Sequence, residues 1–348
     1  MKPLCYCTNV HPAEDLPGVL RQLDEYALPV RERLGEPTLG LGLWLSAEVA
    51  HGLAGDPAAV RKLRHELDAR GLEVLTLNAF PYQGFHDEVV KHRVYHPKWT
   101  EPARLDYTRA CAQVLEDLMP DHLAYGSIST LPLGWREPWT SEDDALCRKA
   151  LTQALDRERP IRLAVEPEPG CVLDTVADAV GWLRGLDPFV GLCLDTCHLA
   201  VSFADPTETL RLVEESGVPI VKVQASAALH VPDPRDEAAR RLLREFAEPR
   251  YLHQVREQGG PRADDLDEAL ERLPGNEPWR VHFHVPLHAQ PAPPLRSTTD
   301  VLTEVLAKLP PGPVVEVETY TWNVLPPQHR QDLVSGIADE LAWVRERT

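Results

Sequence analysis

An α/β fold whose parallel strands close into a (β/α)8 barrel is predicted by three features of this sequence. Short apolar runs alternate with longer amphipathic stretches, the order expected of strands joined by helical crossovers. The runs are nearly continuous in apolar residues, as strands covered on both faces require. Polar and charged residues gather at their C-terminal ends, the face on which barrel enzymes carry their sites.

The strand candidates are, in order, 3–8 (PLCYCT), 38–45 (TLGLGLWL), 72–78 (LEVLTLN), 122–127 (HLAYGS), 161–166 (IRLAVE), 189–195 (FVGLCLD), 219–224 (PIVKVQ), 279–285 (WRVHFHV) and 313–318 (PVVEVE). Helical periodicity occupies 58–71, 141–157, 174–185, 297–309 and 331–347 between them. That is one strand more than a barrel needs. Residues 226–296 are polar, Pro-rich and partly helical around EAARRLLREFAEP, and they contain WRVHFHV. The expectation is a single domain over residues 1–348, with 226–296 a long excursion after the seventh strand that covers the mouth. In it, 279–285 is an extra strand or extended segment. Connections this long are usually functional or disordered.

Side chains alternate faces along a strand, so the inward set can be read by parity. Leu163 and Val165 oppose Ala164 and Glu166, while Leu192 and Leu194 oppose Gly191, Cys193 and Asp195. Val221 and Val223 oppose Lys222 and Gln224; Val315 and Val317 oppose Glu316 and Glu318; Leu75 and Leu77 oppose Thr76 and Asn78. In RVHFHV, the apolar residues stand against His282 and His284. The aliphatic members are assigned to the helices and the small or polar ones to the barrel interior. An unpaired buried carboxylate is costly or takes up a proton, and crowding Glu166, Asp195 and Glu318 at one mouth adds repulsion. A bound cation removes both costs. Taken singly, each residue has a plainer reading. Asp195 suits the cap of the turn TCHL, His198 an interior histidine, and Glu168 in EPEPG a solvent-facing position or the start of the next helix. His86, His92 and His96 lie in the loop GFHDEVVKHRVYHPKWT and either reach the mouth or stay exposed.

The formal net charge of −18 disfavours nucleic acid and anionic membrane surfaces as partners, because both need a basic stripe. No run approaches the ~20 apolar residues of a membrane span. The first residues, MKPLCYCTNVHP, enter a strand-like run at once, so no secretory leader is expected. Seven scattered cysteines, among them Cys5 and Cys7 on one strand face, suit buried thiols in the cytoplasm better than a disulfide framework.

A strand-end Glu, then D-x-x-H, a strand-end Gln, H-x-H and a final strand-end Glu occur in that order. The series resembles the xylose isomerase-like TIM barrels, a superfamily of sugar isomerases, 3-epimerases, inosose dehydratases and type IV apurinic endonucleases. Within it, the stretches YCTNVHP, LNAFPYQGFH, GSISTLPLG, EPEPGCVLDT, LDTCHLAV, EPRYLHQ, VHFHVPL and VETYTW are similar to the EboE-type metabolite traffic family, over about residues 5–345. The resemblance implies Glu166, Asp195, Gln224 and Glu318 as metal ligands and His198 as the histidine beside the metal or substrate. His284, with His282, falls where the polymetal endonuclease branch holds a second cation. Asn78 stands where that branch has histidine and the fourth strand offers Ser127, which argues against a trinuclear centre.

Three carboxylates and an amide suit Mn²⁺ or Mg²⁺, and nearby imidazoles, His198 and His284 as further candidate ligands, admit Zn²⁺ or Co²⁺. Such a cation polarises a carbonyl, while Glu166 and Glu318 move protons α to it. Lys222 is positioned by parity to hold an anionic group or to neutralise the carboxylates. Asn78, His86 and His282 complete the expected substrate contacts. The expected function is a metal-dependent isomerase or epimerase of a small polyol or sugar-like metabolite. The alternatives are a protein that holds a metabolite for export without turnover and, less in keeping with the charge, a phosphodiester hydrolase.

Overall fold

The computed structural model describes residues 2–155 and 160–348; the last two residues of the helix expected at 141–157 lie outside them. Seven strands precede the long connection: β1 (Leu4–Cys7), β2 (Leu39–Trp44), β3 (Leu72–Asn78), β4 (Gly126–Thr130), β5 (Ile161–Val165), β6 (Val190–Asp195) and β7 (Ile220–Ala225). The connection contributes β8 (Leu229–Val231), β9 (Val255–Glu257), β10 (Arg262–Ala263), β11 (Trp279–Val281) and β12 (Arg296–Ser297), and β13 (Val314–Val317) follows it. Eight parallel strands close into a barrel in the order β1-β13-β7-β6-β5-β4-β3-β2. The other five form a separate antiparallel sheet, β10-β9-β11-β8-β12.

Helices pack on the outside and begin where the sequence supplies caps. Thr140 with Asp143, and Thr175 with Asp178, form reciprocal capping boxes. Asp56 and Asp205 each cap a helix whose first residue is proline, where a missing N–H costs nothing. Leu77, Val165, Leu192, Val223 and Val317 join the core between barrel and helices. Among the described residues no helix is long and apolar enough to cross a membrane.

Two expectations need correction. The fourth strand is Gly126–Thr130, not 122–127, because Gly126 pairs with Ile161 at the start of β5. Ser127 is therefore no strand end; it lies deep in the barrel, its hydroxyl donating to Thr76 Oγ1 at 2.8 Å. The ninth candidate is an extra element outside the barrel, a strand over Trp279–Val281 paired with β8 and β9 and then extended chain. Parity also fails at two bulges. Register slips between Leu41 and Gly42 opposite β3, and between Leu192 and Cys193 opposite β7. The extra residues, Leu75 and Val221, turn to the other face. Leu75 packs with inward Cys5 and Val314, and Val221 with Ala164 and Cys193.

The interior is closed below the mouth by an ion pair. Lys222 Nζ lies 2.7 Å from Glu316 Oε2, both side chains fully buried, and also donates to Ser129 Oγ at 3.0 Å. Gly42 makes the room: a Cβ there would stand 1.4 Å from Glu316 Oε1.

Candidate metal and acid–base centre

Glu166 and Glu318 sit one residue beyond β5 and β13, and their backbone N–H groups still follow the ladder, donating to Thr130 O at 3.0 Å and Ala225 O at 3.1 Å. Asp195 closes β6, in register with Gln224 of β7. Oxygen atoms of Glu166, Asp195 and Glu318 all approach within 4.8 Å of one another. Asp195 realises both readings of its sequence. Its Oδ1 caps the short helix Thr196–Val201 by accepting from His198 N at 2.9 Å, and also accepts from Ser226 Oγ at 2.8 Å. Its Oδ2 is buried without a hydrogen-bond partner among the described residues. So are Glu166 Oε2, both amide atoms of Gln224 and Nε2 of His284. Glu318 Oε1 accepts from Asn9 Nδ2 at 2.8 Å and Asn78 Nδ2 at 2.9 Å.

Bare acceptors at this depth fit a cation. Burial pushes the Glu166 and Glu318 carboxyls well above their usual range, and each is raised further by the carboxylates around it. The imidazoles are set the same way. His284 Nδ1 donates to Glu318 O at 2.6 Å, which leaves Nε2 as a lone pair 4.0 Å from Asp195 Oδ2. A histidine that ligates a metal is commonly held through its other nitrogen in this manner. Burial lowers His284 to about 4 and keeps it neutral. His198 Nδ1 donates to Pro167 O at 2.8 Å, and His282 Nδ1 to Gln254 Oε1 at 2.6 Å. Their Nε2 atoms then face each other at 3.0 Å. Two lone pairs at that distance call for a shared proton or a cation. His198 and His284 with Asp195, and His198 and His282 with Glu168, form further groupings able to hold an ion.

Of the residues singled out in the sequence, Glu166, Glu318, His198, His282, His284 and Asn78 line one cleft. Asp195 and Gln224 lie beneath it. Lys222 does not reach it: against a burial that alone would lower it, Glu316 keeps its ammonium charged below the carboxylates. His86 is also absent from the cleft. It packs beside Trp44 and Phe85, and Phe85 is the ring that lines the wall. His92 stacks its edge on Trp135, and His96 lies near Glu101 on the surface. Glu168 is the main omission. It is buried instead of solvent-facing, its Oε1 accepts from Tyr95 Oη at 2.8 Å, and its Oε2 has no partner. Its signal was two-residue spacing from Glu166. Asn9, Tyr95, Gln254 and Tyr320 had no periodic signal, since short 3-10 turns and irregular chain place them; Asn9, Gln254 and Tyr320 do fall within the stretches that carried the resemblance.

A profile of the family described as xylose isomerase-like TIM barrel matches residues 40–242, more than half of the chain. The chain belongs to the xylose isomerase-like TIM barrels. Within that match fall Glu166, Asp195 and Gln224; Glu318 and the two histidines of H-x-H lie beyond it. Solved structures agree on the xylose isomerase-like fold. A zinc-bound IolI protein superposes with a TM-score of 0.53 at 14% identity, covering 99% of this chain and 97% of that one. A protein of Anabaena variabilis assigned as a sugar phosphate isomerase/epimerase gives 0.53 at 14%, covering 99% and 98%. A protein of Sinorhizobium meliloti gives 0.51 at 11%, covering 99% and 98%. A search of curated proteins found no match.

Proposed function

We propose that this barrel is a metal-dependent isomerase or epimerase that moves a proton α to the carbonyl of a small hydroxylated, sugar- or polyol-like metabolite. The observation that carries the reading is the convergence of buried, unpartnered atoms from three barrel strand ends, Glu166 Oε2, Asp195 Oδ2 and the Gln224 amide, with His284 Nε2 of the long connection beside them. The zinc in the IolI structure and the isomerase/epimerase assignment of the Anabaena protein support it. A divalent ion held there would polarise the substrate carbonyl and stabilise the enediolate. Glu166 and Glu318 border the cleft as proton carriers. Asn9 and Asn78 fix one Glu318 oxygen, Oε1, by donating to it. Glu168, whose Oε1 is held by Tyr95, offers a third carboxylate oxygen for proton transfer. His198 and His282 stand where a substrate hydroxyl can exchange its proton.

Within the family we assign the chain to the EboE-type metabolite traffic branch. The stretches LNAFPYQGFH, YLHQ and VETYTW support this, because Phe85, Tyr251 and Tyr320 bring all three to the same cleft. We take residues 1–348 as one domain with 226–296 covering the mouth. Seven buried free cysteines favour the cytoplasm.

Metal analysis and solvent-deuterium exchange test the reading. Glu166→Gln and Asp195→Asn are expected to lose the ion, whereas Glu168→Gln keeps it and slows exchange about 10²-fold or more. Stoichiometric metal in both of the first two variants would overturn it. One observation favours storage without turnover: the cleft's cover is latched, with Val90 N and Lys91 N both donating to Arg250 O at 2.8 and 2.9 Å. A ligand recovered unchanged after long incubation with metal-loaded protein would decide for that reading.

A further inference from the structure

The cleft above the carboxylates comprises about 530 Å³ of space outside atoms, open solvent included. Its floor is polar and its upper walls are not. Phe80, Phe85 and Val94 come from the loop after β3, and Tyr251 and Leu252 from the chain leading into β9. Phe85 lies 5.1 Å from Tyr251 and 5.7 Å from Tyr320, centroid to centroid, and Tyr251 lies 4.9 Å from Tyr320. Tyr320 in turn lies 4.7 Å from His284. One aromatic wall therefore runs from the rim down to the imidazoles. Such walls bury an apolar ligand body. A sugar could satisfy its hydroxyls only on the polar floor; those set against the aromatic wall would lose water without gaining hydrogen bonds, each at a cost.

Charge points the same way. Among the described residues Lys91 is the one cationic side chain lining the cleft, and Asp265 Oδ2 takes its ammonium at 2.5 Å. Glu166, Glu168 and Glu318 line the same space, with Asp195 beneath. A divalent cation offsets two of those charges. A phosphate or carboxylate on the ligand would still enter a negative field with no free guanidinium or ammonium to meet it.

We infer that the sugar-like part of the metabolite is a compact hydroxycarbonyl end carried on an uncharged, ring-sized apolar body, so that the ligand is neither a free sugar nor a sugar phosphate. The body lies against Phe85, Tyr251 and Tyr320, and the oxygens point to Glu166 and Glu318. The oxygen end rests on the isomerase reading; the apolar wall does not. For such a ligand the reaction is R–CO–CH₂OH ⇌ R–CHOH–CHO. One proton leaves the hydroxyl-bearing carbon and one is returned to the former carbonyl carbon. The hydroxyl proton passes between the two oxygens through the enediol, and no oxidant is consumed.

The test uses the full chain, metal-free and Mn²⁺-loaded, with three probes followed by calorimetry: α-hydroxyacetophenone, dihydroxyacetone phosphate and D-fructose. The phenyl probe is expected to bind at least about tenfold more tightly than either other probe, about 1.4 kcal/mol. Phe85→Ala should weaken it about threefold or more without changing metal content. Val94→Asp, at a half-buried wall position, serves the same purpose if the first variant does not fold. Equal or tighter binding of the phosphate or the sugar, or no change in a folded wall variant, overturns the inference. Metal assays on the same samples keep the two readings apart. No metal uptake with the phenyl preference intact removes the isomerase reading alone; metal uptake without that preference removes the inference alone.

Discussion

Gly42 shows how one residue sets the barrel interior. Its missing side chain leaves the space that Glu316 fills, and Glu316 holds Lys222 at 2.7 Å where neither meets water. Gly42→Ala is expected to drive Glu316 from its place and to cost about 3–5 kcal/mol, the loss seen when one partner of a buried pair is orphaned. Lys222→Met should cost a similar amount. The double variant Lys222→Met with Glu316→Leu should recover most of it, because an apolar pair of similar volume spares both desolvation costs. Urea midpoints measure all three. Metal content in the double variant should stay at the parent level, since the pair lies below the proposed ligands; loss of the ion there would return Lys222 to the proposed site. Strand parity could place Lys222 inward but could not give its depth. That depended on a bulge in β7 and on which neighbouring carboxylate reached it first.

At the scale of elements, the C-terminal helix was legible from its apolar periodicity over 331–347, and Leu333–Arg345 forms it. Less legible was what it holds. Glu340 lies on its buried face, next to Leu341, and accepts from Leu287 N at 3.0 Å, Thr319 Oγ1 at 2.6 Å and Trp322 Nε1 at 2.9 Å. It thus ties the helix to the segment just after Glu318 and to the segment just after His284. Burial outweighs these three donors and raises Glu340 from 4.5 to about 7. The folded chain therefore binds this proton more tightly than the unfolded chain. The stabilisation is complete below about pH 4.5 and is lost as pH rises through about 7. At about 1.4 kcal/mol per pH unit the loss amounts to about 3 kcal/mol. Unfolding free energies compared from pH 4.5 to 8 should fall by about 3 kcal/mol more in the parent than in Glu340→Gln, which keeps the other raised carboxyls such as Glu166 and Glu318. Parallel curves would assign the titration elsewhere.

For the whole molecule, the ring of strands was readable because parity, strand order and C-terminal polarity agreed. Glu166, Asp195, Gln224 and Glu318 were readable for the same reason. Glu168, Asn9, Tyr95, Gln254 and Tyr320 were not, because short 3-10 turns and irregular backbone place them and no strand or long-helix period marks their direction. Carboxylates from β5, β6 and the end of β13 meet across the barrel, so their repulsion acts on its closure as a whole. This gives removal of one carboxylate opposite effects in the two states. Without metal, Asp195→Asn relieves repulsion among Glu166, Asp195 and Glu318. It leaves the Oδ1 contacts to His198 N and Ser226 Oγ available to the amide oxygen. The variant should then melt at or above the parent temperature in chelator. With Mn²⁺ or Zn²⁺ at about 100 times Kd the parent should gain about 2.7 kcal/mol from ligand binding to the native state alone, and the variant almost none. Melting curves of both proteins, with and without the ion, should therefore cross. A variant less stable than the parent in chelator by the same margin as in metal would show that Asp195 serves only as a cap, and that no cation joins the strand ends.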